Sequence, residues 1–204
     1  MSEKTMVRTM AERCGWVGQD PLYVDYHDTE WGVPQHDSRV LFETLVLESF
    51  QSGLSWLTIL KKREGFRKAF AGFDAEAIAG WGDSDVARLL ADPGIVRHRG
   101  KIRATIANAK AWVALERDPG FSAFLWNFVD GSPLQNRFTA IADIPSETPL
   151  SKQISSELKK RGFTFCGPKT VYAFMQAAGM VNDHVVDCPC YERTVSLGRE
   201  CKSQ

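Results

Sequence analysis

The sequence predicts an all-α fold, on three observations. Apolar residues recur at helical spacing in the longer segments: Leu41, Phe42, Leu45, Val46 and Ser49 share one side of one stretch, and Ile102, Ile106, Ala109 and Val113 share one side of another. No segment sustains the alternation of a half-buried strand. Asp, Ser or Thr stands before the periodic runs, and Gly or Asp-Pro-Gly after several of them, as helix starts and stops require.

Residues 1–12 are polar and are expected to be a disordered extension, with structure beginning at Arg13-Cys14-Gly15-Trp16. Asp20 to Pro34 carries too much Pro, Gly and Asp for a long regular element and is expected to be loop-like. Asp37 or Ser38 can cap a helix over 39–51. Ser52-Gly53-Leu54 breaks it, and Ser55 caps a second helix over 56–71. Asp83 or Ser84 opens a short helix to Ala91, Asp92-Pro93-Gly94 turns the chain, and 101–116 is strongly helical. Ser122 caps 123–129, and 134–145 is expected to be irregular. Thr148 caps a helix that opens at Pro149 and runs to Arg161. Pro168 fits the first position of the next helix, because it has no N–H to lose there and its φ is already helical. Gly179 suits a left-handed stop. Residues 192–204 read as a polar tail, leaving a single domain over 13–191.

With 204 residues, six Trp and an ordinary apolar fraction, the chain can bury a substantial core. Lys plus Arg balance Asp plus Glu, so no global field draws it to nucleic acid or an anionic membrane. The cations are nevertheless clustered, at Lys61–Arg63, Arg97–Arg103 and Lys159–Arg161. They read either as one positive face or as solvated helix ends. No signal peptide or bilayer-length apolar run is present, so a cytoplasmic location without membrane association is expected. Five Cys, an odd number, argue against a disulfide framework.

Three groups of residues could carry chemistry. Gly162 to Gly167 makes a Gly-X-X-X-X-Gly turn between two helices, which would expose N–H groups at a helix start, where an anion is welcome. An ordinary helical hairpin reads the same way. Cys14 and His27 near one end, with His184 and Cys188 near the other, form a potential Cys₂His₂ set of the closed, structural zinc type; core cysteines and hydrogen-bonded histidines are the alternative. Trp16, Tyr23, Tyr26, Trp31 and Trp56 crowd the N-terminal part, and Glu48 lies on an apolar helix among them. A carboxylate among aromatic faces suits a flat, cationic ligand. Glu48 could instead cap a backbone or pair with a buried Arg.

These stretches carry a resemblance. Cys14-Gly15-Trp16, Asp20-Pro21-Leu22-Tyr23, Tyr26-His27-Asp28-x-Glu30-Trp31-Gly32-Val33-Pro34, Glu48-x-x-Gln51-x-Gly53-Leu54-Ser55-Trp56, Arg97-His98-Arg99-Gly100-Lys101-Ile102, Lys159-Lys160-Arg161-Gly162-Phe163-x-Phe165 and Val181-Asn182-Asp183-His184 resemble, in order, the constitutive bacterial 3-methyladenine DNA glycosylase I family. The resemblance implies the helix-hairpin-helix glycosylase fold, with two helical lobes around a central base pocket. One structural zinc on Cys14, His27, His184 and Cys188 would join the terminal segments, with Cys190 the residue most easily mistaken for a ligand. Glu48 would be the catalytic residue and would read the lesion base. Tyr26 and Trp56 would stack on the base, and Trp16 and Trp31 would line the pocket. Gly162, Phe163, Gly167 and Lys169 would bind DNA at the hairpin, with Arg97, Arg99 and Lys101 beside it and Gln51 and Leu54 filling the gap in the duplex. Many members of the wider superfamily carry a catalytic Asp in Val-Asp-x-His. Here Asn182 stands at that position, which warns against giving the role to Asp183.

The implied activity is monofunctional hydrolysis of the 3-methyladenine glycosidic bond in double-stranded DNA. It would release the free base and leave an abasic site, and the protein is expected to act as a monomer. Two rivals are a non-catalytic damage-binding module and a zinc hydrolase using the same Cys/His set.

Overall fold

The computed structural model describes residues 13–201, so the extension expected at 1–12 and the last three residues lie outside the described residues. The chain is mainly helical. Helix α1 (Pro21–Thr29) occupies part of the segment expected to be a loop: the Asp20 carboxylate accepts from the Leu22 N–H, and Pro21 sits in the first turn. Here Asp and Pro are start signals rather than breakers. Asp37 caps α2 (Ser38–Gln51) by accepting from Arg39 and Val40, and Ser55 caps α3 (Trp56–Ala69). A 3₁₀ turn then leads to the short α4 (Ala75–Ala79), capped by Asp74 and not marked in the sequence. Next come α5 (Asp83–Ala91) and α6 (Arg99–Glu116), the latter capped by His98, whose ring accepts from the Lys101 N–H.

Helix α7 (Phe121–Trp126) starts directly after Gly120, one residue before the expected Ser122 cap. The region from 134 to 145 is not wholly irregular. Strand β1 (Leu134–Gln135) pairs in parallel with β2 (Val181–Asn182), Leu134 opposite Val181, and a 3₁₀ turn covers Ile141–Asp143. Helix α8 (Pro149–Lys160) is capped reciprocally by Thr148 and Ser151, and α9 (Pro168–Ala177) follows a six-residue turn after Arg161. Residues assigned to a polar tail instead form most of α10 (Cys190–Cys201). Tyr191 and Thr194 are buried three residues apart on that helix, an amphipathic pattern too short and too polar to stand out in composition.

The main core is rich in Phe. Phe50 lies edge-on to Phe66 at 4.7 Å, and Phe70 and Phe73 extend the stack. Helix α6 runs against α4, α5, α2 and α7, while α9 packs on both α8 and α2. A second, smaller cluster gathers Cys14, Val17, Tyr26, Trp31, Leu60, Cys188 and Cys190. Gly179 governs how the ends meet. Its φ of +67° stops α9, and a Cβ there would collide with the Val33 and Pro34 backbone. The N-terminal segment docks beside it through Gly32 N–H to the Gln176 carbonyl and Gln35 N–H to the Ala178 carbonyl. Among the described residues no helix is long and apolar enough to cross a membrane.

Candidate active site and metal centre

That docking brings Cys14, His27, His184 and Cys188 together, all buried, with one donor atom from each within 4.8 Å of the others. Cys14 Sγ lies 3.7 Å from His184 Nδ1, and Cys188 Sγ lies 3.5 Å from His27 Nε2 and 3.6 Å from His184 Nδ1. Bonds of about 2.3 Å to sulfur and 2.0–2.1 Å to nitrogen, at tetrahedral angles, give an S···N edge of about 3.6 Å. The donors are thus spaced for one tetrahedral ion. The other ring nitrogens are already engaged. His27 Nδ1 is 2.8 Å from Asp28 Oδ1, and His184 Nε2 is 3.1 Å from the Trp31 carbonyl, so His27 offers Nε2 and His184 offers Nδ1. Arg13 grips Asp28 through Nε and Nη2, and together with His27 holds that carboxylate well below its usual range. The Cys190 thiol sits at the far side of His27, 4.0 Å from Nδ1 and 3.7 Å from Asp28 Oδ1.

Beside this cluster lies a cavity of about 300 Å³ walled by Trp16, Tyr23, Tyr26, Trp31 and Trp56, with Glu48 also in its lining. Tyr26 and Trp56 meet at 5.5 Å with rings tilted by 49°. Trp16 packs on the His27 ring at 5.2 Å and Trp31 on His184 at 4.7 Å, so the metal-spaced histidines buttress two cavity walls. Glu48 is 5% exposed and, among the described residues, has no hydrogen bond or ion pair; burial pushes its carboxyl up to about 8. Trp56 Nε1 is also buried and has no partner among the described residues. Buried polar groups without partners are uncommon, so a carboxyl held this way at the cavity points to a ligand. The sequence missed part of this wall. Tyr23 was visible three residues before Tyr26, but Ile141, Ile144 and Pro145 come from the segment expected to be irregular, and no local signal aims them here.

A profile of the methyladenine glycosylase family matches residues 16–191. The chain belongs to the methyladenine glycosylase family. DNA-3-methyladenine glycosylase 1 of Escherichia coli (strain K12) is 53% identical over 181 residues, which cover 88% of this chain and 97% of that protein. A crystal structure of 3-methyladenine DNA glycosylase I superposes with a TM-score of 0.87 at 53% identity, covering 88% of this chain and all of that one. A Staphylococcus aureus 3-methyladenine DNA glycosylase I, solved for its recognition of 3-methyladenine, gives 0.86 at 40% identity over 90% of this chain and 98% of its own.

Other residues read from the sequence sort clearly on this methyladenine glycosylase framework. Arg97 and Arg99 are exposed and have no ion-pair partner among the described residues, whereas the other two basic clusters are largely neutralised locally. Lys61 pairs with Asp20, Arg63 with Glu30, and Lys160 and Arg161 with Glu157. His98 lies against Phe165 at 6.2 Å, which sets the Arg97–Arg99 run beside the turn between α8 and α9. That turn is held from inside: Asn108 binds both the N–H and the carbonyl of Thr164, Ser49 donates to the Phe165 carbonyl, and Ser155 donates to that of Cys166. Lys169 and Gly162 are exposed, and Gly167 is half-buried.

Two expected DNA contacts are corrected. The Phe163 side chain is 1% exposed and stacks on Phe121, so it serves the core; the exposed ring of the turn is Phe165. Lys101 is 7% exposed and donates to the Phe50 and Ser52 carbonyls, which leaves its ammonium committed inside the protein. Asp183 accepts from Tyr172, Gln176 and Asn136, and Asn182 donates to Gln135 and to the Tyr191 carbonyl, so both side chains are engaged inside the protein.

Proposed function

We propose that this chain is a monofunctional DNA-3-methyladenine glycosylase and that Glu48 is the group that recognises the lesion. The observation that carries this reading is the buried carboxyl without a partner among aromatic rings. Desolvation favours its neutral form, so ionisation is rewarded only when a cation enters. Adenine methylated at N3 is a cation when bound in DNA, and normal adenine is not. A flat cationic base between Tyr26 and Trp56 would restore the ionised carboxylate and stack on both rings. Normal adenine would leave Glu48 protonated and gain less. The relatives named for 3-methyladenine support the same base.

The extruded nucleotide would enter the cavity, with the unpaired Arg97 and Arg99, Lys169 and the α9 start taking phosphates, a use of the α8–turn–α9 unit as a helix-hairpin-helix. Leu54 and Gln51 would occupy the space that the base vacates. Cleavage sends the glycosidic electron pair to the base, which leaves neutral, so no general acid is needed. Water then joins C1′ and loses its proton to solvent. Among the described residues no Lys lines the cavity, which favours hydrolysis without strand cleavage. Cys14, His27, His184 and Cys188 would hold one zinc, whose role with all four positions filled is to tie the terminal segments together.

Purified protein incubated with methylated duplex DNA should release 3-methyladenine and leave alkali-labile abasic sites. Tight binding of methylated DNA with no base in solution would instead identify a damage-binding module.

A further inference from the structure

The exposed turn after α2 has a defined geometry. Leu54 N–H bonds the Gln51 carbonyl at 2.7 Å, Ser52 has φ −49° and ψ 116°, and Gly53 has φ +85°. These are the angles of a type II turn, with Gly where positive φ is needed. Leu54 at its end is 41% exposed. Types I and II differ by a flip of the central peptide, here the one joining Ser52 to Gly53. In a helix that continued, the Leu54 N–H would bond the Phe50 carbonyl; here it is diverted to Gln51, leaving the Phe50 carbonyl to find another donor.

Lys101 supplies it. Its ammonium donates at 2.9 Å to the Phe50 carbonyl and at 2.7 Å to the Ser52 carbonyl. One cation thus closes the C-terminus of α2 and holds the central peptide of the turn in its flipped state. Seven residues further along α6, on the same face, Asn108 holds Thr164 in the turn between α8 and α9. Helix α6 therefore sets both surface turns from beneath.

We propose that Lys101 is a positioning residue that locks the 51–54 turn in the conformation that drives Leu54 into the duplex, so that its loss impairs extraction of the base and not its recognition. The inference rests on the reading of Leu54 as the gap-filling residue. The test compares single-turnover excision of 3-methyladenine from duplex and from single-stranded DNA, together with binding of free 3-methyladenine. Lys101→Met should slow duplex excision about tenfold or more, the scale of a lost charge-assisted interaction. Single-strand excision and free-base affinity should stay within about twofold, because neither needs a gap filled.

Lys101→Arg, which keeps the charge and several donors, should recover much of the duplex rate. Lys101→Met combined with Leu54→Ala should be no slower than Leu54→Ala alone. If Lys101→Met does not fold, Lys101→Gln carries the same comparison. Equal losses on duplex, single strand and free base would make Lys101 a general structural residue and overturn the proposal. So would an intact duplex rate in Lys101→Met when Leu54→Ala is slow. A Leu54→Ala protein with full duplex activity would instead remove the gap-filling reading beneath it.

Discussion

The Cys/His cluster and the Glu48 cavity share walls, yet they treat polar atoms in opposite ways. In the cluster each histidine has one nitrogen fixed by Asp28 or Trp31 and the other turned toward the thiols, and Asp28 is itself fixed by Arg13. Among the described residues, Glu48 at the cavity and the buried Trp56 Nε1 lack partners. A closed polar network gives stability and a fixed shape. An open one holds binding energy in reserve for a ligand. Burial is similar in the two, so it is the accounting of donors and acceptors that separates scaffold from site.

The contrast makes ranked predictions. The largest effect should come from the closed side. The protein should carry one zinc per chain by elemental analysis, and stripping it, or Cys188→Ser, should lower the melting temperature by more than about 10 °C, given several kcal/mol of metal-linked folding energy at roughly 2–4 °C per kcal/mol. A metal-stripped protein that stays folded and melts at the same temperature would break the distinction.

On the open side, Glu48→Gln should cut excision by about a hundredfold or more, near 2.7 kcal/mol in transition-state terms. Its melting temperature should hold or rise, since an unpartnered buried carboxyl is removed. Activity surviving intact would dismiss Glu48 as the reader of the lesion.

The pH dependence sharpens the same point. The Glu48 carboxyl is raised from 4.5 to about 8 in the folded state, so between those values the unfolded chain ionises first and binds fewer protons than the folded one. This group therefore contributes a loss of stability as pH climbs from about 4.5 to about 8 and none beyond. The stability advantage of Glu48→Gln in urea melts should widen across that window and then level off. Affinity for methylated over undamaged duplex should increase toward pH 8 as ionisation becomes easier.

The smallest effect is expected at Trp56→Phe. It keeps a stacking face but removes the buried N–H, and excision should fall only about three- to tenfold, the range of one neutral hydrogen bond, with stability held or raised.

What the sequence determined by itself was local. Asp37, Ser55 and Thr148 each cap the helix they were expected to cap, because a cap depends on residues two or three positions away. Gly179 was legible as a stop for a similar reason, and the family motifs named residues that line the cavity and form the Cys/His cluster. The tertiary structure alone decided partners. It buried Lys101 under the 51–54 turn, turned Phe163 inward and Phe165 outward, and brought Ile141, Ile144 and Pro145 to the cavity. It also neutralised two basic clusters while leaving Arg97 and Arg99 without an ion-pair partner among the described residues. Periodicity records which face of a helix is apolar, but a side chain's partner is set by how helices cross, and that depends on residues distant in the chain.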